Sequence, residues 1–565
     1  MDMHTRMISS NKLLILATAL VLMQVCPALG QVATPANNGG LEANSSNENA
    51  PNEILFQGKQ LEEKGHWAEA LSLYQTAIKD FPRNNTIRQR SKQARLHYEI
   101  EKRYADPKFV ESLKSTTPTK SLNVFAEVLL KIQSYYVDKP DWHELVGYGW
   151  KSLEIAAQSP EFRSRNIPKY STASVIKAIR QAKASLAKQP IRSRHEAYVH
   201  VNSAAQMLNR SIGLPMPSTM YEFTNGAITA LDPYSAFMSN SQYNETMSQI
   251  EGNFVGLGVE LRTHTDHLEI VSVIPGGPAS KGNVAKADRI IAVDDVPVSK
   301  AGSEKAADML RGVEGSYVKI TVEREGMKTQ SVRLQRKRVD IPSVDKVSII
   351  DRENGVGYIR LVNFQKTTAR DFDAALWRLH RAGMKSLIVD VRGNPGGLLS
   401  ASVEVADRFV SNGVIVSTRG RNPLEDYTHT AERDGTWRVP LVVLVDENSA
   451  SASEIFAAAI RDHQRGQIVG RQSYGKGSVQ GIFPLNVSGG GVRLTTAKFY
   501  SPTGKPINQV GVRPDIKVQV RARPGPEGTI ATNGDNELRV AVQVANRQSG
   551  KMAHQPSQRQ NIAGR

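Results

Sequence analysis

Cysteine is almost missing from this sequence, whose 565 residues contain only one, Cys26. Cys26 lies in an N-terminal segment that we expect to be cleaved off, so the mature chain would have no thiol. This excludes disulfide bonds, a cysteine nucleophile and a cysteine-based zinc site. The 12 histidines form neither a His-Glu-x-x-His motif nor a compact cluster with carboxylates. We therefore expect no metal and no cofactor.

Long apolar runs are missing as well. The run at residues 13–25 is shorter than the about 20 residues that a membrane-spanning helix needs. Basic residues precede this run and small residues follow it, which is the pattern of a secretory signal peptide over residues 1–30. We expect an exported protein of the periplasm or cell envelope, or a secreted one. A short membrane anchor and a lipoprotein site at Cys26 are the alternatives.

Acidic residues are in the minority, which gives a formal net charge of +17. Such a charge favours anionic partners without naming one. Residues 162–195 contain nine Lys or Arg and no Asp or Glu, and Val175, Ile179, Ala182 and Leu186 form an apolar stripe among them. A basic amphipathic helix of this kind binds an anionic membrane or cell-wall surface, or it is the solvated face of a packed helix. We expect no nucleic acid partner.

The chain is too long for one hydrophobic core, and its N-terminal half has a helical pattern. Residues 31–52 are polar and rich in small residues, which predicts a linker. Residues 53–105 resemble one tetratricopeptide repeat, which would bind a protein partner, or they form a generic helical hairpin. The residues behind this resemblance are Gly65, His66, Trp67, Ala70, Leu71, Tyr74, Ala77, Ile78 and Pro82. Residues 120–250 form a further helical region.

Short strands dominate residues 251–337. Their order, a Pro-Gly-Gly-Pro turn and one helix near residues 304–311 resemble a PDZ domain. Gly256, Leu257 and Gly258 match the loop that binds a peptide's terminal carboxylate in that family. Backbone N–H groups in such a loop can hold the carboxylate, and the following strand edge can pair with the peptide. An unrelated small β domain is the alternative.

Strands and helices alternate over residues 338–520, which predicts an α/β layer structure. Strand 441–445 is apolar throughout and is followed by a predicted helix over residues 454–462. Residues 521–565 are polar and rich in Gly, Asn and Gln. We expect them to be a partly disordered tail.

Three serines alternate with alanine after the apolar strand 441–445, at Ser449, Ser451 and Ser453. A serine at the start of a helix has backbone N–H groups and the positive end of the helix dipole beside it, which suits a nucleophile whose attack creates an oxyanion. Ser451 and Glu454 also match a capping box, which favours a structural role. The local pattern does not choose among the three serines.

A lysine lies between two glycines at Gly475-Lys476-Gly477. Gly470 and the following residues nearly match a phosphate-binding P-loop, but Gly477 replaces the required Ser or Thr, which excludes nucleotide binding. The flanking glycines indicate that the backbone passes close to another segment. Because no histidine is a convincing partner for a serine, a lysine is the alternative base.

A glycine-rich segment, Arg-Gly-Asn-Pro-Gly-Gly at residues 392–397, follows the predicted strand 386–391. The carboxyl end of a buried strand is where α/β proteins bind ligands. Gly396 and Gly397 can turn backbone N–H groups toward a site. A plain tight turn is the alternative.

Together these segments resemble the carboxy-terminal processing peptidases, also called tail-specific proteases. The resemblance runs from about residue 122 to residue 520 and rests on the motifs at 392–397, 449–455 and 475–480. Leu-Asp-Pro-Tyr-Ser at residues 231–235 is similar to the motif that precedes the PDZ domain in this family. Tyr234 stands where that motif often has histidine.

The resemblance implies that Ser451 is the nucleophile, Lys476 the general base and Gln480 the residue that orients the lysine. It also implies an oxyanion hole made by the Ala452 amide and an amide of Gly396 or Gly397. A lysine base must be neutral, so its pKa must fall from about 10.4 toward roughly 7–8, as burial can achieve. No cofactor is needed.

The implied fold is multidomain α/β: a crotonase-like α/β protease core, an inserted mainly-β PDZ domain and a helical N-terminal region. The implied function is an exported serine endopeptidase that captures substrate C-termini. A noncatalytic adaptor that uses the PDZ-like and repeat-like segments is the alternative from another class. A binding protein that reuses the core for a small ligand is a third.

Overall fold

The computed structural model describes residues 50–432, 436–519 and 534–553, and the short strands at 15–16, 523–524 and 530–531. The predicted signal peptide, apart from strand 15–16, and the predicted linker up to residue 49 lie outside the described residues. Within the described part of the chain, no helix has the length and apolarity to cross a membrane. The same part contains no group of three or more His, Cys, Asp or Glu side chains that could hold a metal ion.

The described chain contains 18 α-helices and one 3-10 helix, Pro423–Glu425. The α-helices are α1 (Ala50–Glu63), α2 (Trp67–Asp80), α3 (Asn85–Ala105), α4 (Pro107–Lys114), α5 (Pro118–Tyr135), α6 (Trp142–Ala156), α7 (Pro160–Asn166), α8 (Thr172–Leu186), α9 (Arg194–Ile212), α10 (Met216–Leu231), α11 (Asn240–Glu251), α12 (Pro278–Lys281), α13 (Val298–Ala301), α14 (Ser303–Leu310), α15 (Thr368–Arg381), α16 (Leu399–Ala406), α17 (Ala452–Asp462) and α18 (Asn536–Ala553).

The strands within the described residues form sheets in both halves of the chain. They are β1 (Ile15–Leu16), β2 (Ala236–Met238), β3 (Asn253–Gly256), β4 (Val259–Thr263), β5 (Leu268–Val273), β6 (Arg289–Val293), β7 (Val296–Pro297), β8 (Tyr317–Glu323), β9 (Gln330–Gln335), β10 (Lys337–Asp340), β11 (Val344–Asp351), β12 (Val356–Leu361), β13 (Ser386–Asp390), β14 (Val414–Gly420), β15 (Tyr427–Thr430), β16 (Leu441–Val445), β17 (Gln467–Gly470), β18 (Ser478–Pro484), β19 (Gly491–Tyr500), β20 (Ile516–Lys517), β21 (Arg523–Pro524) and β22 (Ile530–Ala531).

The chain divides into two compact units. The first unit contains the residues up to Tyr243 together with Asn412–Thr430 and Tyr474–Val512, and the second contains Asn244–Ser411, Ala431–Ser473 and Arg513–Arg565. The chain therefore passes from one unit to the other several times after α10.

The first unit begins with the segment that resembles a tetratricopeptide repeat. Its helices α1, α2 and α3 share an apolar core that includes Ala70, Tyr74 and Ala77. Gly58 of α1 packs directly on Tyr74, because a Cβ at Gly58 would lie only 2.2 Å from the Tyr74 hydroxyl oxygen. A glycine is needed there for the two helices to approach this closely. The sequence interpretation did not single out Gly58.

The remaining helices of the first unit surround α10, whose apolar residues are nearly all buried. Gly226 of α10 lies against the backbone of α6, where a Cβ would meet the Tyr148 carbonyl oxygen at 2.4 Å. Strands β18, β19, β14 and β15 follow one another in an antiparallel sheet, and β2 pairs with β19. Val492 and Leu494 of β19 belong to the same apolar core as the helices.

The basic segment at residues 162–195 folds mainly as α7 and α8. The predicted apolar stripe of α8 is buried in the core of the first unit, with Val175 and Ile179 fully buried. Lys177 and Arg180 lie on the opposite, exposed side of the helix. The stripe therefore has a packing role, and the surface that α8 presents to solvent is polar and basic.

The second unit contains the predicted PDZ region. Its sheet has the order β4-β5-β6-β8-β9, with β7 beside β6, and all its neighbouring strands are antiparallel. Helix α14 covers the sheet through Ala306 and Leu310, which share a core with Leu268 and Ile290. Strands β3 and β10, on either side of this region in the sequence, pair with each other. The two ends of the region therefore lie side by side.

The second unit also contains a six-stranded sheet of the order β11-β12-β13-β16-β17-β20, which is parallel from β12 onward. Strands β13 and β16 are adjacent and every residue in them is buried. Their apolar sequences fit a sheet that is covered on both faces. Because neighbouring parallel strands end at the same edge, the loops after β13 and β16 come together there.

The C-terminal segment, predicted as a partly disordered polar tail over residues 521–565, contains a helix that was not predicted from the sequence. Residues 536–553 form α18, and its Ala541, Val544 and Ala545 are buried against Ile388 and Val442 of the parallel sheet. The apolar positions of α18 recur at helical spacing, but they are few and small. The polar composition around them concealed the pattern.

Candidate active site

The predicted nucleophile lies in the loop between the fully buried strand β16 and helix α17. Ser451 immediately precedes α17, is completely buried and has φ +55° and ψ −112°. This backbone conformation is strained for any residue other than glycine, and such strain persists where the surrounding structure enforces it. The Ser451 amide donates to the Glu454 carboxylate at 2.8 Å, and the Ser473 hydroxyl donates to the other Glu454 oxygen at 2.5 Å. Glu454 therefore fixes the entry into the helix.

The two neighbouring serines have structural roles. The Ser449 hydroxyl donates to the Val391 carbonyl at 2.8 Å, and the Ser453 hydroxyl donates to the Asn394 carbonyl at 3.0 Å. Both carbonyls belong to the loop after β13. The hydroxyls at Ser449 and Ser453 therefore tie the two loops together, which leaves Ser451 as the candidate nucleophile among the three.

The loop after β13 passes directly beside Ser451. A Cβ at Gly396 would lie 2.8 Å from the Ser451 Cβ and 2.9 Å from the Ala452 nitrogen, so only glycine fits at this position. The structure thus brings Gly396, Ser451 and Ala452 together, as the sequence predicted. Gly397 lies equally close to another segment, because its Cβ would be 2.0 Å from the Phe364 carbonyl oxygen.

The amides of this loop differ in what they can offer a ligand. The Gly396 amide already donates to the side-chain oxygen of Asn394 at 2.9 Å. Asn394 is itself fixed, because its side-chain nitrogen donates to the Leu361 carbonyl at 2.7 Å and its own carbonyl accepts from the Ala450 amide at 3.1 Å. Of the two glycines predicted for an oxyanion hole, Gly397 is therefore the better donor.

The predicted general base belongs to the first unit. Lys476 is almost completely buried, with 3% of its surface exposed. The glycines beside it pack on the segment after β19: a Cβ at Gly477 would lie 2.2 Å from the Asn508 nitrogen, and the Gly475 carbonyl accepts from the Gln509 amide at 2.7 Å. The close approach predicted from these two glycines is confirmed. The backbone around Lys476 is therefore held in place on both sides.

The Leu-Asp-Pro-Tyr-Ser motif forms a turn that presents Tyr234 to Lys476. Asp232 accepts hydrogen bonds from the amides of Tyr234 and Ser235 at 2.7 and 2.9 Å. Arg95 donates to the Asp232 and Ser235 carbonyls at 2.8 and 2.7 Å. The lysine nitrogen lies 5.0 Å from the centre of the Tyr234 ring, within the range of a cation–π contact. This contact was not predicted from the sequence, in which Tyr234 stood out only as a replacement for histidine.

Gln480 is buried in β18, four residues after Lys476, but its side chain has a different neighbour from the one predicted. Its nitrogen donates to the Ser478 hydroxyl at 2.9 Å. Its side-chain oxygen has no hydrogen-bond partner among the described residues. Gln480 therefore does not hydrogen-bond Lys476 in this structure, and the orienting contact predicted for it is not made.

The predicted carboxylate-binding loop of the PDZ region lies between β3 and β4. The Leu257 carbonyl accepts from the Ala279 amide and the Gly258 carbonyl accepts from the Ile274 amide, both at 2.8 Å. In a trans peptide the N–H points opposite to the preceding carbonyl, so the amides of Gly258 and Val259 point away from these partners. Strand β4 ends the path of its sheet within the described residues. A peptide could therefore pair with this edge and place its carboxylate at the loop.

Comparisons with known proteins agree with this arrangement. The model of peptidase family S41 matches residues 355–518, and the PDZ domain model matches residues 255–335. A carboxy-terminal-processing protease of Bartonella bacilliformis is 37% identical over 344 residues, which are 59% of this chain and 77% of the relative. A carboxyl-terminal-processing protease of Picosynechococcus is 32% identical over 333 residues, which are 58% of this chain and 74% of the relative.

Two solved structures are also similar in sequence. The photosystem II D1 C-terminal processing protease is 26% identical and covers 72% of this chain and 96% of its own, with a TM-score of 0.37. The PDZ domain of a carboxy-terminal protease from Vibrio cholerae, solved with a peptide, is 28% identical and covers 16% of this chain and 99% of its own, with a TM-score of 0.15. The family models and the curated relatives show that this chain belongs to the carboxy-terminal processing proteases of peptidase family S41 and is a serine-type peptidase with a PDZ domain.

Proposed function

We propose that this protein is an exported endopeptidase that captures substrates by their C-termini and cleaves them with Ser451 as nucleophile and Lys476 as general base. The observation that carries this proposal is the strained, fully buried Ser451 at the start of α17, with Gly396 packed against it. The apolar run at residues 13–25 supports export. The parallel sheet with its surrounding helices supports a crotonase-like core.

In the proposed reaction, the Ser451 hydroxyl attacks the carbonyl carbon of the scissile peptide and its proton passes to the Lys476 amine. The amides of Ala452 and Gly397 hold the negative oxygen that forms, beside the positive end of α17. Lys476 then donates the proton to the leaving amine, and water hydrolyses the acyl-enzyme. The near-complete burial of Lys476 supports its role, because exclusion from water disfavours an ammonium ion.

Substrate capture would use the PDZ region. A terminal carboxylate would accept hydrogen bonds from the amides near Gly256, Leu257 and Gly258, and the preceding residues would pair with the edge of β4. The partly buried Val259 and Leu261 of β4 pack on the domain core and favour apolar side chains near the peptide's end. A substrate with an apolar C-terminus should therefore be cleaved faster than one with a charged C-terminus.

Two further surfaces would serve other partners. The helices at residues 53–105 would bind a protein, and the exposed basic side of α8 would bind an anionic membrane or cell-wall surface. Lys177, Arg180 and Lys188 are exposed there. Lys183 is balanced by Glu154 at 3.2 Å. The excess of positive charge on this side supports electrostatic binding to an anionic surface.

The direct test uses the purified protein and its Ser451→Ala and Lys476→Ala variants. Each is incubated with an unfolded protein that ends in apolar residues and with the same protein ending in charged residues. We expect cleavage by the wild type alone, and faster cleavage of the apolar ending. Cleavage by Ser451→Ala would mean that another residue is the nucleophile. Absence of cleavage by every form would contradict the proposal and favour the adaptor function.

A further inference from the structure

The C-terminal helix α18 lies beyond the part of the chain that matches the protease family model, yet it packs on the sheet that carries the candidate nucleophile. The family match ends at residue 518, whereas α18 spans Asn536–Ala553. Its buried alanines and Val544 contact β13 and β16, the two strands whose loops form the candidate site. The first turn of α18 therefore lies near the carboxyl ends of these strands.

The start of α18 supplies two carboxylates to Arg392, the residue that opens the glycine-rich loop. Asp535 immediately precedes the helix and Glu537 lies in its first turn. Asp535 pairs with the Arg392 guanidinium through both oxygens, at 2.7 and 2.8 Å, and Glu537 pairs with it at 2.9 Å. Asp390 holds the same guanidinium at 2.7 Å, and the Tyr358 hydroxyl donates to Asp390 at 2.8 Å. Three carboxylates thus fix the direction in which Arg392 leaves β13.

Glu537 also lies close to residues that contact the second loop, the one that carries Ser451. Its other oxygen lies 3.2 Å from the Arg471 Nε, an ionic contact without a hydrogen bond, and Arg471 lies 2.9 Å from Glu447 and 3.9 Å from Asp446. Asp446 begins the loop that carries Ser451 and accepts the Gly393 amide at 2.9 Å. The Glu537 side chain is 7% exposed and Arg392 is 17% exposed, so their ion pair is largely shielded from solvent, whereas Arg471 is 33% exposed. One carboxylate of α18 therefore contacts arginines that hold both loops of the site.

The effect on the site follows from how these loops are connected. Gly396 and Ser451 are in van der Waals contact, and the amides that would bind an oxyanion flank that contact. Displacement of one loop by about 1 Å costs on the order of 10²-fold in rate for a catalytic arrangement. The ion pairs of Glu537 lie at the far ends of the same two loops, where they limit such displacement.

We propose that Asp535 and Glu537, at the start of α18, are positioning residues that hold the oxyanion loop and the nucleophile loop in register, through Arg392 and Arg471. This inference rests on the proposed function of Ser451. Helix α18 would then contribute to catalysis, although neither carboxylate touches the substrate.

The test compares the full-length variants Glu537→Gln and Asp535→Asn/Glu537→Gln with the wild type. We expect kcat to fall about tenfold for the single variant and on the order of 10²-fold for the double variant, with KM changed less than threefold. Hydrogen exchange of the amides at residues 393–398 should become faster, while exchange in β13 stays as in the wild type and reports that the fold is intact. Asp535→Glu, which keeps the carboxylate, should retain most of the activity that Asp535→Asn loses.

Asn546→Ala is the matched control. Asn546 donates to Asp351 at 3.0 Å, so this variant removes a different bond between α18 and the rest of its unit. It should retain wild-type kcat and loop exchange. An equal loss in Asn546→Ala, or unchanged loop exchange and kcat in the double variant, would overturn the inference. If Ser451→Ala stayed active, the proposed nucleophile would be wrong, but loop exchange in the double variant would still decide whether α18 positions the loops.

Discussion

Two glycines of the same loop differ in the steric requirement that Ser451 imposes on them. Both have positive φ: the +69° of Gly393 is a left-handed conformation that costs alanine roughly 1–2 kcal/mol, whereas the +105° of Gly396 lies outside that region and strains alanine more. Only Gly396 is crowded: its Cβ would lie 2.7 Å from the Ala450 carbonyl oxygen and 2.8 Å from the Ser451 Cβ, whereas a Cβ at Gly393 would meet nothing within 4 Å. Crowding of this kind adds about 1–3 kcal/mol.

Both alanine variants should therefore lose stability, but only Gly396→Ala should lose most of its activity. In Gly396→Ala the new methyl group must displace Ser451 or the Ala452 amide, and loss of one oxyanion donor lowers kcat by about 10²–10³-fold. Gly393→Ala should stay within about tenfold of the wild type, because its new methyl group enters open space.

The assay is kcat on a substrate with an apolar C-terminus, with thermal unfolding measured in parallel. Binding of a labelled C-terminal peptide, followed by fluorescence anisotropy, should be the same in both variants, because the PDZ loop is not altered. The reasoning fails if Gly396→Ala keeps a kcat within threefold of the wild type. It also fails if Gly393→Ala loses as much activity as Gly396→Ala.

Three further outcomes follow from the structure. Tyr234→Ala should lower kcat on the order of tenfold and Tyr234→Phe less than threefold, because only alanine removes the ring that keeps water from the lysine nitrogen. Replacing Lys177, Arg180 and Lys188 by glutamate should lower the affinity for phosphatidylglycerol vesicles about 100-fold in a sedimentation assay, at about 1 kcal/mol for each residue, without changing kcat. Burial lowers the pKa of His97 to about 4 from 6.5, so the folded helices resist its protonation. The free energy of unfolding of these helices should be constant above about pH 6.5 and should fall by up to about 3 kcal/mol as the pH is lowered toward 4. His97→Phe should remove this pH dependence, as measured by circular dichroism melts.

Much of the site could be predicted because its residues are local in sequence. Strand β16 has the predicted limits, Leu441–Val445, and the helix after it begins at Ala452, two residues before its predicted start. The glycines beside Lys476 predicted a close backbone approach, and the structure has one. These features depend on short motifs whose physical requirements are visible in the residues themselves.

Other features depend on contacts between distant segments, which local patterns do not record. The local pattern could not choose among the three serines, and only the family resemblance indicated Ser451, because the hydrogen bonds of Ser449 and Ser453 join them to a loop more than fifty residues earlier. The direction of the Gln480 side chain depends on the local backbone of β18, where the register with β19 shifts between Val479 and Gln480. The position of Tyr234 depends on a turn that is stabilised by hydrogen bonds from Arg95 of α3.

The serine run has a practical consequence for mutational screening. Alanine replacement at Ser449, Ser451 or Ser453 would each impair the enzyme, the outer two because they lose the bonds that join the loops. A scan for lost activity would therefore report three essential serines and would not distinguish the attacking group from its supports. Cysteine replacement would separate them, since a thiol at residue 451 can still act as a nucleophile, whereas a thiol at residue 449 or 453 is only a weak hydrogen-bond donor and cannot replace the bonds between the loops.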